Sequence, residues 1–122
     1  MLTDKVASSG GKELPSRVQN NPRGLDRWND RYNKPEIING LIKLYEKCQE
    51  QETSVQGASL RWLVYHSKLG ANDAVILGAR TIDQVDDSAT EIKRGPLDEG
   101  VVQLFEEVWQ SVKDVAPVGY SD

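Results

Sequence analysis

The stretch "DAVILGARTIDQVDDS", residues 73–88, decides how the rest of the chain is read. Asp73 and Gly78 bound a short apolar run, Ala74–Leu77. Such a run matches a strand buried on both faces, as in parallel sheets with helices outside. Thr81 then offers a good N-cap, and Gln84 completes a capping box, so a helix starts at once. The run has no second strand in the chain to pair with. A lone strand leaves backbone N–H and C=O groups unpaired on both edges, each costing roughly 1–3 kcal/mol if kept from water. Ala74–Leu77 therefore reads as the last strand of a sheet whose other strands lie outside this chain.

The flanking sequence is helical. "KPEIINGLIKLYEKCQEQE" predicts a helix from about Pro35 to Gln51, with Pro35 suited to the first helical position. Ile37, Ile38, Leu41, Ile42, Tyr45 and Cys48 repeat at three- and four-residue steps and form its apolar face. Gly40 either weakens that helix by about 1 kcal/mol or allows close packing. A second helix is expected over about residues 54–68, with Thr53 and Gln56 as a capping box and Gly70 as its stop. Leu60, Leu63, Val64 and Ser67 make one stripe; Val55, Ala58, Trp62, Tyr65 and Leu69 make another. Two apolar sides imply a helix held between partners. A third helix begins at Thr81, with Ile82, Val85, Ala89 and Ile92 as its inner stripe, and ends near Arg94–Gly95. A fourth runs over roughly 97–114, packing through Val101, Leu104, Phe105, Val108, Trp109 and Val112. Helix–strand–helix–helix order belongs to an α/β repeat cut from a larger sheet.

Residues 1–34 read as irregular, rich in Gly, Pro, Asn and Ser without a sustained period. So long a structureless stretch suggests either a functional loop laid over a larger body or a segment that does not order by itself. Arg23, Arg27, Trp28, Arg31 and Tyr32 cluster at its end. They could hold an anion, but a strap fixing the loop to a surface is the simpler reading.

The formal charge of −4 offers no basic face to nucleic acid. Apolar runs are too short to span a bilayer, and "MLTDKVASSGG" shows no secretory h-region. Cys48 is the only cysteine, which excludes an internal disulfide and a multi-cysteine zinc site and fits a reducing compartment. A soluble, cytoplasmic protein is expected. Cys48 itself reads as a small buried hydrophobe, and His66, the only histidine, as a ring favoured by a helix C-terminus rather than a catalytic group.

One place suggests chemistry. The turn from Leu77 through Gly78 and Arg80 to the helix start combines backbone access, an always-charged guanidinium and unsatisfied first-turn amides, which together suit a phosphate. Arg80 as a plain surface charge is the alternative, and such turns are common.

The run "SLRWLVYHSKLGANDAVILGARTIDQVDDSATEIKRGPLDEGVVQLFEEVW" resembles the C-terminal part of aldo-keto reductases, in particular the aflatoxin-aldehyde-reductase-like branch. The resemblance rests on the R-W-hydrophobic-x-(Tyr/His)-H-S helix, the V-I-L-G strand, the G-x-(S/R)-(S/T)-x-x-Q segment and the G-P-L turn. "MLTDKV" is similar to the segment after the family's seventh strand, and "RWNDRYNKPE" to its Arg/aromatic loop. It covers nearly the whole chain in order. It implies an α/β fold, the C-terminal fragment of a (β/α)8 TIM barrel, mostly helical here with a single core strand. Residues 1–122 would be a partial NADP-dependent oxidoreductase domain and 1–34 its cofactor-side loop.

NADPH is the implied cofactor. By resemblance, Gly78 and Arg80 line its phosphate, Gln84 contacts the adenosine ribose-phosphate, Ser88 takes the adenine side, and Lys5 lies near the phosphates. Gln84 also has a capping role to fill. Asp4 stands where the family has glycine, and Ser88 where it usually has asparagine. The family reduces an aldehyde or ketone with a tyrosine acid, a lysine, an aspartate and a histidine from earlier strands. Tyr32, Tyr45, Tyr65, Tyr120 and His66 match none of them, so no catalytic residue and no metal ligand is expected. Two readings follow: a truncated reductase lacking its reaction centre, or a barrel relic whose exposed apolar helix faces bind another protein.

Overall fold

The computed structural model describes residues 4–15 and 18–118. Among these, the regular elements are α1 (Asp4–Ser8), α2 (Pro22–Arg31), α3 (Pro35–Glu50), α4 (Val55–Tyr65), α5 (Ile82–Lys93) and α6 (Glu99–Val112). Residues 1–3 of the "MLTDKV" stretch and Tyr120 lie outside the described residues.

The sequence pattern for α3 holds. Ile37, Gly40, Leu41, Leu44 and Cys48 are its buried residues, one row at three- and four-residue steps. That row carries α6 on one side and α1 and α4 on others. Gly40 resolves as a packing glycine: a Cβ there would come within 2.7 Å of Val108 Cγ1 on α6. The two backbones approach as closely as they do because α3 presents no side chain at that point.

The second close approach joins α4 to α5. A Cβ on Gly57 would lie 2.5 Å from Glu91 Oε2. The glycine leaves room for that carboxylate to reach Thr53, whose Oγ1 donates to Oε2 at 2.9 Å. Arg94 Nη1 pairs with Glu91 Oε1 at 3.0 Å and also donates to the Glu52 carbonyl. The C-terminal end of α5 is thereby tied to the α3–α4 link.

Several expectations are corrected. Ala74–Leu77 forms no strand: residues 73–79 carry no regular structure, and Ile76 is 96% exposed. A strand is held by a neighbour's hydrogen bonds, and among the described residues no neighbour exists. The single core strand is thus neither a strand nor core. The inner stripe expected on α5 is likewise uncovered at its start, with Ile82 79% and Val85 43% exposed. Nothing described packs against that face.

The 1–34 segment is not irregular throughout. It contains the ten-residue α2, capped by Asn21, whose side chain accepts from the Gly24 N–H, with Pro at the helix start. Val6, Ala7, Val18 and Trp28 from this segment belong to the core cluster with Leu41, Cys48, Val55, Ala58, Leu97 and Val101. Trp28 is fully buried and lies 5.8 Å from Tyr32, centroid to centroid, while Arg23 and Arg27 are exposed. The aromatic residues act as the strap.

Boundaries moved for α4. It is capped by Ser54, whose hydroxyl accepts from the Gly57 N–H, because the Thr53 hydroxyl is engaged by Glu91. It ends at Tyr65 rather than near 68. Only its Val55–Gly57–Ala58–Arg61 side is buried, and Tyr65 and Leu69 stand at 41% and 40% exposure. The helix does lie between partners, α5 and α3, with Trp62 stacked on Phe105 of α6, and it is the Tyr65–Leu69 end that stays open.

The accessible surface is 8615 Å². A compact monomer of 13.6 kDa presents roughly 6,600 Å² on the usual size scaling. The excess agrees with the uncovered apolar residues on α5 and before it.

Burial decides the chemistry of Cys48. Desolvation pushes its thiol up from 9.0 to about 11, and the Asp4 carboxylate adds to the shift. The folded state therefore holds the thiol proton more tightly than the unfolded chain. That contribution is fully present below about pH 9 and is lost as pH rises through about 11. At ~1.4 kcal/mol per pH unit it amounts to roughly 2–3 kcal/mol. Urea midpoints measured between pH 8 and 11 are expected to fall more steeply for the parent than for Cys48→Ala. Equal slopes would show that the thiol makes no such contribution.

Candidate functional site

The candidate turn runs from Gly78 to Gln84. Gly78 is open: a Cβ there would meet nothing within 4 Å. Arg80 and Thr81 are exposed, and the Arg80 side chain has no hydrogen bond or ion pair to another described residue. Thr81 caps α5, its Oγ1 accepting the Gln84 N–H at 3.3 Å. Gln84 returns the interaction, but to the Arg80 N–H at 2.9 Å rather than to that of Thr81. The capping role considered for Gln84 is therefore real and displaced by one residue.

This exchange shapes the site. Holding the Arg80 backbone amide freezes the turn in front of α5 while leaving the guanidinium outside. The Ile82 and Asp83 amides, the first two of the helix, have no intrahelical acceptor and carry its positive end. A phosphate group fits here, between Arg80 and the helix start. Asp83 in the same turn works against an anion, so the arginine must supply the decisive charge.

The other expected contacts divide. Gln84 and Ser88 are brought together, the Ser88 hydroxyl donating to the Gln84 carbonyl at 2.8 Å. Both border a shallow cleft of about 160 Å³ shared with Ser54, Gly57, Asp87 and Glu91. Ser88 is nonetheless buried, which leaves its hydroxyl little to offer an adenine. Lys5 is on α1, paired with Glu13 at 3.1 Å, and no contact links it to Arg80 or Gln84. So the Gly78–Arg80 side fits a phosphate, while Ser88 and Lys5 do not join it as placed here.

The Asp4 that replaces a glycine has its own role. Its Oδ1 accepts the Val55 N–H at 2.8 Å, so α1 supplies a carboxylate to the start of α4. Sequence reasoning also missed Arg61. It is only 8% exposed, and it donates from Nε to the Gly95 carbonyl at 2.8 Å and from Nη2 to the Pro96 carbonyl at 2.7 Å. A charge three residues after Ala58, on the buried side of an apolar helix, was the available signal. His66 completes the grip: its Nε2 accepts the Leu97 N–H at 3.0 Å.

A family model described as "Aldo/keto reductase family" matches residues 1–110. The chain belongs to the aldo/keto reductase family. Among curated aldo-keto reductases and their kin, it is 39% identical to the oxidoreductase sirO of Leptosphaeria maculans, over 70% of this chain and 27% of that protein. It is 34% identical to an aldo-keto reductase of Pseudocercospora fijiensis, over 93% of this chain and 39% of that one. Human aflatoxin B1 aldehyde reductase member 2 is 41% identical over 52% of this chain and 18% of its own length. The chain thus spans well under half the length of these relatives.

Membership implies a (β/α)8 barrel, of which the described residues form helices and no strand. That accounts for the paradox of the opening stretch. Ala74–Leu77 carries a strand's composition without strand geometry because the barrel wall beside it is not among these residues. No described helix is long and apolar enough to cross a membrane.

Proposed function

We propose that this chain is the C-terminal portion of an NADPH-dependent aldo-keto reductase acting on aldehydes or ketones, including those of secondary metabolism, in the cytoplasm. The observation that carries the reading is the Arg80 guanidinium, without a partner among the described residues, at the open Gly78 turn and the start of α5. Gly78, Arg80 and the first amides of α5 would hold the adenosine 2′-phosphate, and the Gln84 amide group would face the ribose side. The chemistry such a cofactor supplies is hydride for a carbonyl carbon. The residues here contribute binding and orientation. The proton donor and its supporting lysine, aspartate and histidine belong to other parts of the family's barrel, so the 122 residues alone are expected to bind without turnover.

The test is a titration of the purified chain with NADPH and with NADH. Arg80→Ala is expected to weaken NADPH by about ten- to a hundredfold, the loss of one charge-assisted clamp, while NADH binding stays unchanged. Equal losses for the two would contradict the 2′-phosphate assignment. Reduction of an aldehyde panel at rates typical of enzymes would contradict the absence of turnover.

A second reading rests on the exposed Ile76, Ile82 and Val85. In it the chain is an interaction module, and another protein, such as a full-length reductase, covers this apolar face. Sizing the pure chain with and without a full-length family member distinguishes the two. Co-elution supports the module, and a dispersed monomer indifferent to the reductase contradicts it.

A further inference from the structure

The link from α5 to α6 is held from outside by α4. Tyr65 donates its hydroxyl to the Ile92 carbonyl at 2.7 Å, Arg61 grips the Gly95 and Pro96 carbonyls, and His66 takes the Leu97 N–H. Gly95 turns there with φ of +85°, a conformation suited to glycine. Of these contacts, the one to His66 alone is broken by adding a proton to its acceptor. A ring nitrogen that accepts a hydrogen bond must be unprotonated, so the proton of the neutral ring sits on Nδ1.

We propose that His66 is a pH-operated latch: the neutral ring holds the α5–α6 turn through the Leu97 amide, and protonation releases it. Once protonated, Nε2–H points at a backbone N–H, donor against donor. Leu97 is 7% exposed, so its amide finds no water while the turn stays where it is. The added charge also joins an already cationic grip, since Arg61 holds the two preceding carbonyls of the same turn.

Other charges bear on the balance. Tyr65, the last residue of α4, and Lys68 just beyond it flank the histidine. Lys93 and Glu91 lie at the end of α5, with Arg94 already committed to Glu91 and to the carbonyls of Gln51 and Glu52. Asp98 follows Leu97, and Glu99 and Glu106 lie on α6. The C-terminus of α4 favours the cation in either position and so does not restore the lost bond. The latch does not depend on cofactor binding.

Hydrogen exchange at the Leu97 amide of the full chain, corrected for intrinsic pH dependence, reads the latch directly. Protection is expected to fall by about five- to tenfold as pH drops from 8 to 5, with the midpoint of the His66 ring-proton shift. In His66→Gln, whose carbonyl accepts at any pH, protection should be independent of pH. Protection in the parent that ignores the His66 titration would overturn the proposal. Should the variant fail to fold, the nitrogen-15 shifts of the parent ring decide: a proton on Nε2 at pH 8 would overturn it equally. With one histidine in the sequence, both signals are unambiguous.

Discussion

Arg61→Ala is expected to destabilise the chain by about 3–5 kcal/mol, the combined loss of two hydrogen bonds from a charged donor. The argument begins with burial. A guanidinium at 8% exposure gives up most of its water, and here it faces carbonyl oxygens rather than a carboxylate. Nε and Nη2 reach the consecutive carbonyls of Gly95 and Pro96 at 2.8 and 2.7 Å, a forked geometry that a single ammonium cannot reproduce. Removing it leaves both acceptors without that donor, in the half-exposed turn just before Leu97, a member of the core cluster. Arg61→Lys should therefore recover less than half of the loss. Urea unfolding of the three proteins checks this. A loss below about 1 kcal/mol for alanine would mean that water replaces the guanidinium without difficulty.

Trp28→Ala should be as damaging, at about 3–5 kcal/mol. Against a total stability of about 5–15 kcal/mol for a typical domain, that loss removes from about a fifth of the stability to all of it. Trp28 has no exposed surface, and it joins α2 to the core cluster. Its indole Nε1–H is buried without a hydrogen-bond partner among the described residues. That orphaned donor predicts a contrast. Trp28→Phe removes the unsatisfied group along with part of the ring, two opposing effects of about 1–3 kcal/mol each, and should lie within about 1.5 kcal/mol of the parent. Denaturation midpoints that fall equally for phenylalanine and alanine would show that ring volume alone matters at this site.

Both effects arise from residues that local patterns describe poorly. Trp28 was legible as a strap because it lies among Arg23, Arg27, Arg31 and Tyr32, yet its helix was not. Between Pro22 and Arg31 the apolar residues are few, so no helical period forms, and the cue that remained was Asn21 followed by Pro22. Arg61 carries no local signal of its partners. Its partners, Gly95 and Pro96, lie 34 and 35 residues away, a distance no local window spans. The caps of α4 tell the same story. Thr53 and Ser54 are both good N-caps by type, and the choice fell to Glu91 on another helix, which takes the Thr53 hydroxyl.

The candidate site was read in part. The turn chemistry of Gly78, Arg80, Thr81 and Gln84 is local, and the structure retains it with a one-residue shift in what Gln84 holds. Lys5 and Ser88 came from resemblance, and packing sends one to Glu13 and buries the other. Without the barrel wall, nothing draws α1 toward the start of α5.

By itself, the sequence determined four helices, the family and the capped turn into α5. These follow from periodicity, caps and motifs that act over a few residues. Tertiary structure alone decided that Ala74–Leu77 is not a strand, that Gly40 and Gly57 are points of close approach, and that α4 grips the turn into α6. The physical reason is common to all three. A backbone ladder, a vacant Cβ position and a buried fork each need a partner from a distant part of the chain. Composition can announce that need, but only the fold shows whether the partner is there.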